Sequence, residues 1–183
     1  VPLSSGGFAI GITPDGRQAY VRMSSAAKLA IVDLSTNLRV KEIDMCSGLS
    51  GLGIARNKPL ALMACPIVAG VLRVINTRLA AIALDAITTG GAPDSIAFNP
   101  EGTVAYVTNA GGEEVFVIDV FRHTKVLEIP VGQEPRGVKV TDNGLLAVVA
   151  NSADDTISVI DTRRNTVVGT VDVGAGPWYL DVV

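Results

Sequence analysis

The sequence predicts an all-β chain of 183 residues, a β-propeller of four-stranded antiparallel blades with about four blades present. Three observations predict it. The stretch 93–134 recurs 42 residues later as 135–176, with 13 of the 42 positions identical, so Pro93, Gly102, Asn109, Asp119 and Gly132 fall on Pro135, Gly144, Asn151, Asp161 and Gly174. Each unit holds four short runs rich in Val and Ile, separated by turn residues, which is the strand pattern and not the helix pattern. Runs such as Val115 to Ile118 and Leu146 to Ala150 are apolar throughout, so their sheets must be covered on both faces. A two-layer sandwich would leave its outer faces wet. A ring of sheets stacked face to face covers both, and a period near 42 with four runs per unit is that of a propeller blade.

The first unit, 7–49, runs through Ile10 to Ile12, the turn Thr13-Pro14-Asp15-Gly16, then Ala19 to Val21, Leu29 to Asp33 and Val40 to Ile43. The second, 50–92, is degraded: its turn Arg56-Asn57-Lys58-Pro59 lacks the glycine, and Asn76 stands where the other units carry Asp. The third, 93–134, has runs at 95–98, 104–109, 115–119 and 125–131. Its turn Asn99-Pro100-Glu101-Gly102 combines a proline of preset φ with a glycine that accepts positive φ. Asp119 is expected to accept backbone N–H bonds in the turn that follows it. The fourth, 135–176, is a clear copy, and 177–183 begins a further blade.

Composition bounds the function. A net charge of -3 and a pI near 5.1 leave no concentrated basic surface for nucleic acid. No apolar run reaches the 18 or so residues of a membrane-spanning helix. The chain starts at Val1 and not Met, which fits a removed leader or an excerpt of a longer chain. Cys46 and Cys65 form no zinc site of the usual kind without further ligands. Two buried thiols are expected ahead of a disulfide.

Tyr106-Val107-Thr108-Asn109, preceded by Pro-x-x-Ile-Ala and a Pro-x-Gly turn and followed by Val-x-Val-Ile-Asp, resembles the YVTN-type β-propeller repeats. Tyr20-Val21 and Val149-Ala150-Asn151 are weaker copies. The resemblance spans the chain, strongly over 93–178 and weakly over 50–92. It implies an extracytoplasmic protein, periplasmic, secreted or at the cell surface. The family includes surface-layer propellers, relatives holding heme d1, and lactonase-like or lyase-like enzymes.

His123 is the only histidine and lies in a turn between Arg122 and Thr124, where a turn role is expected ahead of a ligand or base. A Ser-His-Asp hydrolase would need this same residue held between a serine and an orienting carboxylate. No catalytic residue and no resident metal or cofactor is therefore expected. The candidate ligand-binding residues are Glu113, Glu114, Asp154 and Asp155, in equivalent connections of two units, and Trp178, the only tryptophan. With the first strand of each blade lining the channel, these carboxylates emerge on one face. Arg39, Arg78, Arg122, His123, Arg163 and Arg164 emerge on the other.

The resemblance implies rings of about seven blades, more than four units supply. An excerpt of a longer propeller, a second copy forming a homodimer of eight blades, and a small closed ring are the alternatives, in that order. The expected function is a non-enzymatic binding or scaffold propeller contacting a protein partner or a ligand through loops on one face. The alternative is a lactonase-like or cofactor-binding enzyme with its site in the channel.

Overall fold

The computed structural model describes residues 7–23, 27–48, 50–67 and 70–182, the side chains of Phe8, Leu84 and Asp85 excepted, so Val183 of the expected further blade lies outside the described residues. The fold is an all-β propeller of four blades, each a four-stranded antiparallel meander. The first blade is β1 (Gly7–Ile12), β2 (Gln18–Met23), β3 (Lys28–Asp33) and β4 (Leu38–Asp44). The second is β5 (Leu52–Ile54), β6 (Leu60–Cys65), β7 (Val71–Asn76) and β8 (Ala81–Thr88). The third is β9 (Pro93–Phe98), β10 (Val104–Asn109), β11 (Glu114–Asp119) and β12 (Thr124–Pro130). The fourth is β13 (Pro135–Val140), β14 (Leu146–Asn151), β15 (Thr156–Asp161) and β16 (Thr166–Asp172). The innermost strands β1, β5, β9 and β13 follow one another around a channel.

The continuous apolar runs are explained by the stacking. Because strand side chains alternate between faces, odd and even positions of one run enter different blade interfaces. Leu62, Ala64, Leu72 and Val74 of the second blade meet Ala105, Val107, Phe116 and Ile118 of the third. Tyr106, Val115 and Val117 on the other face of the third blade meet Val138, Ala147, Val149 and Ile160 of the fourth. Tyr20, Leu29 and Ile31 meet Ala61, Met63 and Ile75 in the same manner. The repeated tyrosine fastens neighbours together. The Tyr20 hydroxyl donates to the Thr77 carbonyl at 3.0 Å, and the Tyr106 hydroxyl donates to Asn165 Oδ1 at 2.8 Å. Burial raises both phenols to about 12, so they stay protonated donors.

The turns behave as the sequence predicts. Gly102 has φ of 66° and Gly16 and Gly144 similar values. Asp119 Oδ1 accepts from the amides of Phe121 and Arg122, and Asp161 and Asp33 repeat the arrangement. Asn76 does the same for Arg78 and Leu79, which is why the second blade tolerates losing its aspartate. His123 occupies the left-handed position of this turn at φ 55°, as Asn37, Ala80 and Asn165 do in the other blades. The inner strand β5 is only three residues long, and Gly51 before it lies so close to the Asp94 carbonyl that any Cβ would strike backbone.

The cysteines correct an expectation. Cys46 and Cys65 form a disulfide, with Cα atoms 6.0 Å apart, and not two free thiols. A spacing of 19 residues carries no sign of this. The turn after β4 brings Cys46 to the buried end of β6, so the bond ties the first blade to the second. Replacing both by serine is expected to lower stability by about 3 kcal/mol through the loop it closes. Denaturant unfolding of the double variant measures this, and a cost below about 1 kcal/mol would mean the blade contacts alone hold this junction.

Candidate functional site

The four predicted carboxylates emerge at the blade end where each inner strand begins, and most are engaged in holding loops. Glu114 Oε1 accepts from Asn109 Nδ2 at 2.5 Å, and its other oxygen accepts from the Glu113 amide at 2.8 Å. Asp154 Oδ2 accepts from the Gln133 amide at 2.7 Å, and Asp155 Oδ1 from the Gly176 amide at 2.8 Å. Glu113 is exposed. Among the described residues no three carboxylate, histidine or cysteine side chains converge as a metal site would require. On the opposite face the cations are partly neutralised: Arg122 pairs with Asp119, Arg164 with Asp161, and Arg39 with Glu42.

Trp178 is placed differently. It lines a cavity of about 420 Å³ at the channel mouth, together with Ile10, Arg22, Ser50, Leu52, Asp94, Ile96, Arg136 and Val138. The volume is within the range of small-ligand sites, and the lining combines apolar wall with a few convergent polar groups. Trp178 is half exposed, and the Arg136 guanidinium lies over its ring at 4.7 Å from the centroid. Such stacking is favourable through the ring's negative face, more so where water is partly excluded.

Arg136 is positioned by the start of β13, and Asp94 by the start of β9. The Asp94 carboxylate accepts a short hydrogen bond from Ser50 Oγ. Burial pushes Asp94 above the ordinary carboxylate range, with Arg136 and Arg22 opposing that rise. Arg22, on β2, is buried and donates from Nη1 to the Ser50 carbonyl at 2.5 Å. Burial draws its guanidinium below the ordinary arginine value. Arg136 stands 3.6 Å from Asp94 Oδ2 and 3.6 Å from Glu134 Oε2. Those distances give attraction but lie beyond hydrogen-bond range. Its fork is therefore held loosely between two carboxylates and a ring, and among the described residues its buried Nε has no hydrogen-bond partner.

The structure thus brings Trp178 to the channel and leaves Glu113, Glu114, Asp154 and Asp155 around it on the loops. The sequence reading passes over Arg22, Ser50, Asp94 and Arg136. One signal was available for two of them. In repeat register the residue after the recurring proline is Asp94, then Arg136, then Trp178, three unlike side chains in an otherwise matched frame. That position faces the cavity in all three.

No protein-family profile matches the chain, and no curated protein matches it in sequence. Solved structures do. Hydrazine synthase of Kuenenia stuttgartiensis superposes with a TM-score of 0.84 at 22% identity, over 93% of this chain and 50% of that one. A functionally unknown protein of Desulfotomaculum acetoxidans DSM 771 superposes at 0.82 with 18% identity, over 93% and 57%. This chain spans little more than half the length of either. At these identities the likeness establishes the propeller fold alone.

Proposed function

We propose that this propeller is an extracytoplasmic binding module of the YVTN type, and that its ligand is held at the channel mouth by a carboxylate group. The observation that carries the reading is the state of Arg136: mostly buried, stacked on Trp178, with a five-donor fork whose carboxylate neighbours among the described residues, Asp94 and Glu134, stand 3.6 Å away. Arginine's planar fork matches a carboxylate in two parallel hydrogen bonds. Asp94 Oδ1 already accepts from Ser50, and the five-donor guanidinium of Arg136 keeps donors that an incoming carboxylate can use. Glu113, Glu114, Asp154 and Asp155, on the surrounding loops, would screen what approaches. The disulfide between Cys46 and Cys65 is in keeping with an oxidising compartment.

The carboxylate can come from a protein partner's acidic segment or from a free small acid, and one experiment separates them. Calorimetric titration of the intact protein with a short acidic peptide and with succinate, followed in parallel by Trp178 fluorescence, is expected to give saturable binding for at least one. Arg136→Gln is expected to weaken it about tenfold or more, the worth of a charge-assisted pair. Binding to neither probe, or binding indifferent to Arg136→Gln, overturns the proposal. Turnover of a lactone substrate abolished by the same variant would favour the enzymatic alternative.

A further inference from the structure

The second repeat departs from the other three in one direction, and its departures meet at one place. The turn between the first and second strands carries a carboxylate in the other blades, Asp15, Glu101 and Asp142. Here the turn is Arg56-Asn57-Lys58-Pro59, with two cations and no acid. The turn after the third strand opens with Asp33, Asp119 and Asp161 elsewhere, and with the neutral Asn76 here. Asn76 keeps the bonds to the amides of Arg78 and Leu79 while the charge is gone. Simple decay of a repeat has no preferred sign. This blade exchanges negative charge for positive at both turns of one end.

Both turns line a cavity of about 600 Å³ between the first and second blades, at the end where the inner strands stop and opposite Trp178. Its lining holds Arg17, Arg56, Lys58 and Arg78, with Pro14 and Pro59 between them. Two carboxylates also reach it, and each is already engaged. Asp15 Oδ1 accepts from Thr13 Oγ1 at 2.6 Å and from the Arg17 amide at 3.0 Å. Asp33 Oδ1 accepts from the amides of Ser35 and Thr36. Arg56 donates to Asp142 at 2.7 Å, an exposed pair of small worth. Arg17, Lys58 and Arg78 form no salt bridge among the described residues. The turn itself is braced on the third blade. Asn57 Nδ2 donates to the Pro100 carbonyl at 2.8 Å, and the Lys58 stem lies along Gly102, where a Cβ would come 3.7 Å from its Cγ.

We infer that this cavity binds a small organic molecule through a phosphate monoester. A phosphate monoester carries close to two negative charges at neutral pH and offers three strong acceptor oxygens. Arginine forks match those oxygens in pairs, and lysine meets phosphate as a point charge. Three unbridged cations at one cavity are more than a single carboxylate neutralises, which separates this site from the one at Arg136. The volume is that of a small-ligand site and not of a bare ion, and the two prolines give the carbon skeleton a rigid apolar wall. In a chain of net charge -3 the positive field is confined to this cleft, where it gathers a small anion and tracks no polynucleotide backbone.

The test is calorimetric titration of the intact protein with glucose 6-phosphate and adenosine 5′-monophosphate, and with inorganic phosphate and glucuronate as the bare ion and the carboxylate. At least one of the two esters is expected to bind saturably, tenfold or more tightly than either control. Lys58→Gln and Arg78→Gln should each weaken that binding about tenfold, the worth of one hydrogen bond between charged groups. Both residues stand in turns, so the melting temperature should stay within a few degrees. Amide shifts on titration should centre on Asn57, Lys58 and Arg78, with Trp178 fluorescence unmoved. Binding of neither ester at millimolar concentration overturns the inference, as does binding indifferent to both substitutions. Inorganic phosphate or glucuronate bound as tightly as the esters overturns the assignment to a phosphate monoester. Shifts centred on Arg136 and Trp178 overturn it too, and would return the ligand to the channel mouth.

Discussion

Phe116→Ala is expected to cost about 3–5 kcal/mol, a third or more of the roughly 5–15 kcal/mol that holds a typical domain folded. Phe116 is 1% exposed at the junction of the second and third blades, packed with Leu62, Leu72, Val107 and Ile118. Lys125 lies over its ring at 4.6 Å and is held there by donating to the Thr89 carbonyl at 2.6 Å. Removing the ring empties a site that the sheets on both sides, locked by their own ladders, have little freedom to close. Phe121, five residues on, is 86% exposed, and Phe121→Ser should change stability by no more than about 0.5 kcal/mol. Denaturant unfolding of both variants reads the difference. Should Phe116→Ala lower the m-value as well as the midpoint, the blades have begun to unfold separately, as expected of repeats joined only to their neighbours.

That contrast illustrates what the sequence made legible. Phe116 and Phe121 differ because one stands in an uninterrupted apolar run and the other just past an aspartate that closes a turn, and both signals are local. The same holds for Gly102, whose positive φ follows from Pro100 two residues earlier, and for Asp119, whose carboxylate serves amides two and three residues on. A fold assembled from four-residue turns and six-residue strands, repeated, writes itself locally. Its site does not. Arg22, Asp94 and Arg136 come from three different blades and meet only because the inner strands begin at one end of a common channel. The carboxylates of Glu114, Asp154 and Asp155 look available in the sequence and are engaged as loop caps in the structure, since an amide donor across a turn carries no sequence mark. The disulfide escaped for the same reason: a pairing across two blades depends on the stacking and not on the spacing.

The channel group predicts its own pH dependence. Burial raises Asp94 above its ordinary 3.8, so the folded state binds the proton more tightly than the unfolded chain. An acid shifted upward costs stability above its folded value. The cost is lifted as pH falls through the window between that raised value and 3.8. Asp15, Asp33 and Asp119 act in the opposite sense. Side-chain hydrogen bonds from Thr13 and Ser35 lower the first two, and backbone amides lower Asp119, so their contributions hold above 3.8 and fade as pH falls through their folded values. The Asp94→Asn variant isolates the first effect: relative to the parent it should be more stable at pH 7, and the gain should vanish toward pH 3.

Arg136→Leu should do the reverse, and its effect is the larger. It removes the stronger of the two cations that oppose the burial of Asp94 and leaves Arg22, while Ser50 Oγ still donates. Stranding one member of a buried pair costs several kcal/mol in a dry interior. Here Asp94 and Arg136 keep 20% and 25% side-chain exposure and stand 3.6 Å apart, so screening reduces the expectation to about 2 kcal/mol at pH 7. The loss is tied to the charge on Asp94. With its main opposing cation gone, Asp94 is raised further, and acidification through that value neutralises it and should restore most of the lost stability. Combining Arg136→Leu with Asp94→Asn removes the stranded charge outright, so the double variant should recover the parent's stability at pH 7 and lose the pH dependence of the single one. A single variant equally destabilised at pH 7 and pH 4 would mean that Arg136 acts through its packing on Trp178, and the carboxylate-binding role argued from its electrostatic setting would fall with it.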